Sequence, residues 1–362
     1  MKIKNIFFAA ILVLAGFSCS MEDDAIMNDV EKGIEEATEA YTVLDFGVAF
    51  NEMATKASTT VVPGEDRPAT GDENNDEKKI SEVSVFLLED GKVIGILIPQ
   101  NRNQVSSNSD GSITLKDLKF VTKYKTNRTL EAHVVINGNQ FLKNINIGDA
   151  QSALNQQISG CLSADQLIKY GSTRIVFGKD ITNSYSSPSV AENNPTTILV
   201  KVSHVAARLD FSQFDVTLKG FEGDPTVVFD EAKFVNLQQN GKIVEGDASV
   251  NVKDGAFLNR SNRIGTGWID MGTAYGYANQ YRQDSEMNTA LYVKSTVDGR
   301  TFEKTYPINP AGITKEVDHN GIKGGYLYDI KVRWTITPDW GDSTIEFYTR
   351  DWVHNSIPEI VL

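Results

Sequence analysis

Residues 41–56 read YTVLDFGVAFNEMATK and carry a clear alternation of apolar side chains. Leu44, Phe46, Val48 and Phe50 recur at every second position, and a strand points alternate side chains to opposite faces. This spacing predicts a half-buried β-strand. No turn follows that would pair the strand with a neighbour in sequence, and Lys56 stands directly behind it at an exposed edge. The stretch is therefore predicted to be a strand that can be removed.

A polar loop follows this strand. Residues 57–79 read ASTTVVPGEDRPATGDENNDEKK, and their Pro, Gly and polar content is typical of a loop. Proteases cut such segments readily. Lys56, which is followed by Ala57, and Arg67 are both available to a trypsin-like protease. Because Pro68 would hinder cleavage after Arg67, we predict processing at Lys56, with Arg67 as the alternative.

The first 18 residues have the features of a secretory signal peptide. Lys2 and Lys4 precede an apolar run at residues 6–17 that is too short to span a bilayer. Cys19 follows at once, which resembles the lipobox of bacterial lipoproteins, where the cysteine is acylated after signal cleavage. Acyl chains such as palmitate on Cys19 would hold the precursor on a membrane. Residues 20–40 contain eight acidic residues and one lysine, and an acidic cluster there resembles the surface-export signal of Bacteroidota lipoproteins.

The composition is that of a globular protein and argues against several functions. The formal net charge is -13, so nucleic acid is not an expected partner. His133, His204, His319 and His354 show no metal-ligand spacing, and the two within apolar strands, His133 and His204, are predicted to be structural. No nucleotide-binding or nucleophile motif is found. We therefore expect a protein that is not an enzyme and that has no cofactor or catalytic residues. Cys161 is predicted to be a lone thiol of structural character.

Short apolar or alternating segments, separated by Gly, Asn and Asp, fill the rest of the chain. They are residues 83–88, 92–98, 112–115, 129–136, 173–177, 198–211, 215–219, 225–237, 291–295, 301–308, 325–337 and 344–352. Many short strands at this spacing predict a mainly β protein built of β-sandwiches. A few short helices are expected at residues 149–169, where Ser163 and Gln166 form a possible capping box.

The extended run ILVKVSHVAARLDF at residues 198–211 is the predicted bridge between two domains. The predicted organisation comprises a signal peptide at 1–18, an acidic tether with the removable strand at 19–56, an N-terminal β-sandwich at 57–205, a C-terminal β-sandwich at 206–352 and a tail at 353–362.

Residues 265–281, GTGWIDMGTAYGYANQY, could argue for ligand binding. Trp268, Tyr275, Tyr277 and Tyr281 stand among glycines there. Exposed aromatic side chains on a loop could stack on sugar rings. The alternative is that they cover a sandwich edge or pack between domains.

The tail VHNSIPEIVL is apolar for a chain terminus. Val353, Ile357 and Val361 share one face, and Ile360 and Leu362 lie on the other. An exposed apolar tail is a liability in a monomer, which makes a groove on a partner its natural destination. We predict that it is a donor strand; the alternative is that it completes the second sandwich.

The order of these features resembles that of the fimbrillins of Bacteroidota, the FimA and Mfa-type pilus subunits. The resemblance rests on the lipobox at Cys19, the apolar strand, the Lys56-Ala57 step and five motifs. These motifs are ISEVSVFLLEDGK (80–92), HVVINGN (133–139), VSHVAARLDF (202–211), YLYDIKVRWTI (326–336) and TRDW (349–352). The resemblance implies two tandem β-sandwiches of transthyretin-like, Greek-key type. It also implies that an Arg- or Lys-specific protease removes the first strand and that a strand of a neighbouring subunit refills the groove, building a filament.

The sequence therefore predicts a lipoprotein precursor of a surface fimbrium subunit with a role in cell adhesion. Its expected partners are copies of itself or related subunits, the outer membrane through the lipid, and a trypsin-like protease. The alternatives are an anchor or tip subunit and a surface glycan-binding lipoprotein whose site would contain Trp268.

Overall fold

The computed structural model describes residues 39–50, 75–109, 112–223, 225–244, 246, 248–258, 268–309, 320–338 and 343–351. The structure is mainly β, and the predicted fold class is confirmed in this respect. Its helices are short: α1 (Asn139–Leu142), α2 (Pro188–Glu192) and 3-10 turns at Asn75–Lys78, Arg102–Gln104, Gln151–Leu154 and Ala164–Gln166.

The first half of the chain forms one large sheet. Its strands are β1 (Tyr41–Phe50), β2 (Val83–Glu89), β3 (Lys92–Leu97), β4 (Val105–Ser107), β5 (Ile113–Lys123), β6 (Thr129–Ile136), β8 (Lys169–Val176) and β9 (Thr196–His204), while β7 (Gln157–Ser159) lies outside it. The eight strands follow the order β3-β2-β6-β8-β9-β1-β5-β4. The sheet curls, which brings strands near its two ends together. A Cβ on Gly95 of β3 would lie only 2.8 Å from the ring of Phe120 on β5. Side chains of β1, β2, β5, β6, β8 and β9 fill one common apolar core.

The second half contains two main sheets that face one another. Its strands are β10 (Ala207–Leu218), β11 (Val227–Val235), β12 (Leu237–Gln238), β13 (Asn240–Lys242), β14 (Val252–Lys253), β15 (Trp268–Gly276), β16 (Ala290–Val297), β17 (Arg300–Pro307), β18 (Tyr326–Ile336) and β19 (Ser343–Asp351). One sheet has the order β15-β10-β18-β19 and the other β11-β16-β17. Phe214 from the first sheet contacts Phe229 from the second edge-on, with ring centroids 5.1 Å apart. The two sheets share one apolar core, as expected of a sandwich.

The predicted bridge at residues 198–211 is two strands rather than one. The chain leaves the first sheet at His204 and enters the second at Ala207. A Cβ on Gly324 would lie 2.1 Å from the carbonyl oxygen of Val205, so another part of the chain presses against the junction. A third apolar cluster, which includes Phe86, Tyr277 and Leu327, joins elements from both halves. The domain limits given above remain predictions.

The helical material expected at residues 149–169 is smaller than predicted. The two 3-10 turns Gln151–Leu154 and Ala164–Gln166 flank β7, and Ser163 makes no side-chain cap bond. Gly160 and Cys161 both have positive φ, at 74° and 56°. A helix cannot continue through this left-handed pair, which explains why the segment breaks into short turns.

Candidate functional site: the β1 groove

The removable strand predicted from the sequence is an interior strand. β1 pairs antiparallel with β5 and parallel with β9, so both of its edges are hydrogen-bonded. Val48, for example, lies between Ile113 on one side and Val200 on the other. We call the space between β5 and β9 that β1 fills the β1 groove. Removal of β1 would leave two rows of unpaired backbone groups facing each other.

The inner face of β1 is part of the protein core. Leu44, Phe46 and Val48 are each 0% exposed and Phe50 is 5% exposed, as the alternation predicted. They pack with side chains of the neighbouring strands in the first apolar cluster. Burial of an apolar side chain of this size contributes about 1.5–3 kcal/mol. The inner face therefore binds β1 strongly, and its loss would open the core.

The outer face of β1 is covered as well. The N–H of Tyr41 donates to the carbonyl of Tyr185 and the N–H of Tyr185 donates to the carbonyl of Tyr41, each at 2.8 Å. From there the chain runs into α2, which contacts β1 and β5. Val43 and Ala191 are both fully buried. Lys119 of β5 holds the end of α2 through a 2.8 Å bond from its Nζ to the carbonyl of Glu192.

The chain is anchored again as soon as it re-enters the described part of the structure. Glu77, in the turn Asn75–Lys78, is 0% exposed. Its carboxylate lies 3.1 Å from Nη1 of Arg208 and accepts a hydrogen bond from the hydroxyl of Tyr275. Lys169 donates to its carbonyl oxygen at 2.8 Å, and Arg208 also pairs with Asp210 at 2.9 Å. These residues, which we call the Glu77 cluster, join the turn ahead of β2 to β8, β10 and β15.

The Glu77 cluster was not predicted from the sequence. Glu77 stands in the acidic run NDEK, where it resembles its solvated neighbours. The nearby acids of the cluster leave Arg208 charged and raise its pKa, although its burial acts in the opposite direction. Burial and the Glu77 carboxylate raise the pKa of Tyr275, so its hydroxyl remains a donor.

Solved structures of several other proteins match most of this chain in fold. A candidate cell-adhesion protein from Parabacteroides distasonis matches 88% of the chain and 99% of its own length at 17% identity, with a TM-score of 0.58. A second candidate cell-adhesion protein of that organism matches 87% of the chain and 99% of its own length at 13% identity, with a TM-score of 0.50. The chain has the same fold as these proteins.

A fimbrillin from Porphyromonas gingivalis is similar over 86% of the chain and 98% of its own length, at 14% identity and a TM-score of 0.48. No protein-family model and no curated protein matches the sequence. The structural neighbours include cell-adhesion proteins and a fimbrillin, and the fold that the chain shares with the cell-adhesion proteins agrees with the fold that the order of motifs indicated.

Two of the four aromatic residues considered for sugar binding have other roles in the fold. Tyr277 is 1% exposed, and its hydroxyl donates to the carbonyl of Gly160 at 2.6 Å. A Cβ on Gly241 would lie 2.5 Å from the Tyr277 ring, so only glycine fits beneath it. Tyr275 belongs to the Glu77 cluster. Both tyrosines lie in the apolar cluster between the two halves, which is the alternative that the sequence left open. The side chain of Trp268 lies outside the described residues, and Tyr281 is half-buried.

His133 has the structural role predicted for it. It is 2% exposed, and its Nδ1 lies 2.7 Å from the hydroxyl of Tyr170. Burial lowers the pKa of His133, although the Glu131 carboxylate 3.4 Å from Nε2 opposes this shift. Cys161 is half-buried, and burial raises the pKa of its thiol.

Among the described residues, no group of three or more His, Cys, Asp and Glu side chains could hold a metal ion. In the same part of the chain no helix has the length and apolar character needed to cross a membrane.

The remaining predicted sites lie outside the described residues. They are the lipidation site Cys19, the processing sites Lys56, Ala57 and Arg67, and the donor-strand residues Val353, Ile357, Ile360, Val361 and Leu362. These assignments remain predictions.

Proposed function

We propose that this chain is a structural subunit of surface fimbriae, with a role in cell adhesion, that assembles by exchanging β1 for a strand of another subunit. The observation that supports this most directly is the position of β1. It is hydrogen-bonded on both edges, buried on its inner face and partly buried on its outer face, yet in sequence it is separated from the rest of the fold by residues 51–74. Cleavage in this one connecting segment would leave β1 bound to the rest of the fold without a covalent link, which suits a removable plug. The cell-adhesion fold agrees with this role.

Export as a lipoprotein is the first step of the proposal. Acylation of Cys19 would hold the precursor at the outer membrane, and the acidic residues after it would direct it to the cell surface. In the precursor, β1 would fill its own groove and keep the subunit monomeric.

Proteolytic processing is the second step. We propose cleavage between Lys56 and Ala57, with Arg67 as the alternative site, by a trypsin-like Arg- or Lys-specific protease. The contacts that hold the chain before and after residues 51–74 support this segment as the target of the protease. Phe50 pairs with Val202 at the end of β1, and Glu77 is buried in the turn beyond. Cleavage between these two anchors would leave the remaining fold attached at the Glu77 cluster.

Filament growth is the third step. Among the described strands β19 lies at the edge of its sheet, and it ends at Asp351, just before the predicted tail in sequence. We propose that Val353, Ile357, Ile360, Val361 and Leu362 of the tail supply the donor strand to the groove of the next subunit. Head-to-tail contacts of this kind do not close and therefore build filaments.

N-terminal sequencing of purified filaments tests the proposal. We expect mature subunits to begin at Ala57, or at Pro68 if Arg67 is the site. Lys56→Ala should retain the precursor in the first case, and Arg67→Ala serves as the matched control. Subunits that still begin at Cys19 within assembled filaments would contradict a shaft role and would identify an anchor or tip subunit instead.

A further inference from the structure

The alternation of β1 does not by itself specify one register. Leu44, Phe46, Val48 and Phe50 all face the core, and a shift of two residues would again place apolar residues inward. A one-residue shift is excluded because it would turn the whole set outward. Some other feature must therefore prevent the two-residue shift.

Gly47 occupies a closed position on the outer face. A Cβ at this residue would lie 3.2 Å from the carbonyl oxygen of Ile113 on β5 and 3.2 Å from Cδ1 of Leu199 on β9. The first contact is with backbone, which cannot turn away as a side chain can. A two-residue shift would place Asp45 or Ala49 there. Asp45 would bring a carboxylate against a carbonyl oxygen, and Ala49 would add the crowded Cβ.

Asp45 marks a second irregular position. The partner of β1 on β5 jumps from Phe120, opposite Leu44, to Leu115, opposite Phe46, so residues 116–119 bulge beside Asp45. The Asp45 carboxylate accepts the N–H of Phe46 at 2.9 Å at this point. A two-residue shift would separate this side-chain acceptor from the bulge.

We propose that Asp45 and Gly47 set the register in which a strand can occupy the β1 groove. A strand that replaces β1 in this register must present a side-chain acceptor, an apolar residue and a glycine in succession. This requirement on the partner strand rests on the exchange proposed above, whereas the role of the two residues in holding β1 does not.

The requirement has a direct consequence for the tail. Residues 353–362, VHNSIPEIVL, contain no glycine. The tail would therefore place a Cβ at the closed position in any register, and it fits only if the Ile113 carbonyl and Leu199 both shift by a few tenths of an ångström. Since β1 fits the groove better, replacement by the tail requires that β1 be lost rather than merely loosened.

A disulfide reports the register in the full-length chain. Ala49 and Lys201 are partners across β1 and β9, and the double variant Ala49→Cys/Lys201→Cys should cross-link on mild oxidation. Adding Gly47→Val or Asp45→Ala should lower the cross-linked fraction about threefold or more, since the native register is disfavoured. Asp45→Asn keeps an acceptor oxygen and should cross-link like the parent. If neither Gly47→Val nor Asp45→Ala lowers the cross-linked fraction, the proposal is overturned.

Folding must be measured in parallel because Gly47→Val could prevent it. Ala49→Val places the same side chain two residues away, on the same face, and should leave the thermal midpoint nearly unchanged. Failure to fold with Gly47→Val alone supports a closed position, because no shifted register rescues the chain. An equal decrease of the thermal midpoint with Gly47→Val and with Ala49→Val overturns the proposal.

Synthetic strands test the requirement on the partner. The full-length chain is cleaved within residues 51–74, and the two pieces together are then incubated with an excess of labelled peptide YTVLDFGVAF. We expect capture of this peptide and of its Ala49→Val form, and about tenfold weaker capture of the Gly47→Val form. Equal capture of the two variants, or displacement of β1 without capture of any peptide, would refute the requirement. Filaments that begin at Cys19 would refute the exchange but would leave the register results untouched.

Discussion

The carboxylate of Glu77 lies 3.1 Å from the guanidinium group of Arg208, and the two side chains come from positions 131 residues apart in sequence. Arg208 is 12% exposed and Glu77 is fully buried. The pair joins the turn ahead of β2 to the first strand of the second half.

Loss of this pair should destabilise the whole protein. We expect Glu77→Ala to lower the free energy of unfolding by about 3–5 kcal/mol, because Arg208 would keep a buried charge with one partner fewer. Asp76→Ala, in the same turn, removes a more exposed pair with Lys79 and should cost about 0–1 kcal/mol. Urea denaturation of both variants measures the difference. Equal losses would show that the Glu77 cluster contributes no more than a surface ion pair.

The inner face of β1 should contribute a large share of stability. Phe46→Ala should lower the free energy of unfolding by about 3–5 kcal/mol, since it leaves a cavity in the first apolar core. Leu199→Ala on the neighbouring strand is the control, because Leu199 is 52% exposed. Its effect should stay within about 0.5 kcal/mol. Thermal unfolding of the full-length variants provides the comparison, and a small effect of Phe46→Ala would mean that β1 is not part of the core.

Cleavage alone should not release β1. A chain cut within residues 51–74 should elute from gel filtration as one species that contains both pieces, because β1 keeps two hydrogen-bonded edges and two covered faces. Added peptide of the β1 sequence should then exchange slowly with the resident strand. The control is the uncut chain, which should take up no peptide because its own strand is present at a high effective concentration. Separation of the pieces immediately after cleavage would contradict this expectation.

The pH dependence of stability should contain a contribution from His133. Burial lowers its pKa in the folded state, so the unfolded chain binds a proton at a higher pH than the folded chain does. Stability from this residue is therefore complete above the ordinary histidine pKa of about 6.5 and falls as the pH drops below it. Unfolding of the wild type and of His133→Gln, measured at about pH 7.5 and 5, should show a smaller decrease for the variant. Identical decreases would exclude this contribution.

The hydroxyl of Tyr277 should stabilise the contact between the two halves of the chain. Tyr277→Phe removes the hydrogen bond from this buried residue to the carbonyl of Gly160, which is exposed, and should cost about 0.5–1.5 kcal/mol. Tyr292→Phe removes an exposed hydroxyl bonded to Glu303 and should cost much less. Denaturation curves of the two variants measure the two losses in the free energy of unfolding. Equal losses would show that the Tyr277 hydroxyl contributes no more than one at the surface.

Local patterns in the sequence predicted part of the local structure, although strand β15 lies where a loop was considered. The alternation at residues 41–50 placed β1 and its inner face correctly, and the strand at Thr129–Ile136 has the predicted limits. Both succeed because strand periodicity is a short-range property. The break at Val205 and Ala206 was missed because the apolar alternation continues through it.

Long-range relationships were not accessible in this way. Nothing near β1 in sequence shows that it lies parallel to β9, some 150 residues later, or that α2 packs against β1. The burial of Glu77 depends on Arg208 and Tyr275, whose positions follow from the fold of the second half. The constraint at Gly47 likewise depends on a carbonyl of β5 and a side chain of β9. These features arise from tertiary packing.

The two-sided pairing of β1 also determines how this part of the molecule would respond to mechanical force. A pull along the axis of the strand in this position loads the hydrogen bonds to β5 and β9 together, in shear. A pull across the axis would break them one after another. Shear requires many bonds to fail at once, so the joint would resist tension directed along the strand far better than tension that peels it sideways. Any subunit linked through this position would therefore be held most firmly when drag from flowing liquid aligns with the strand.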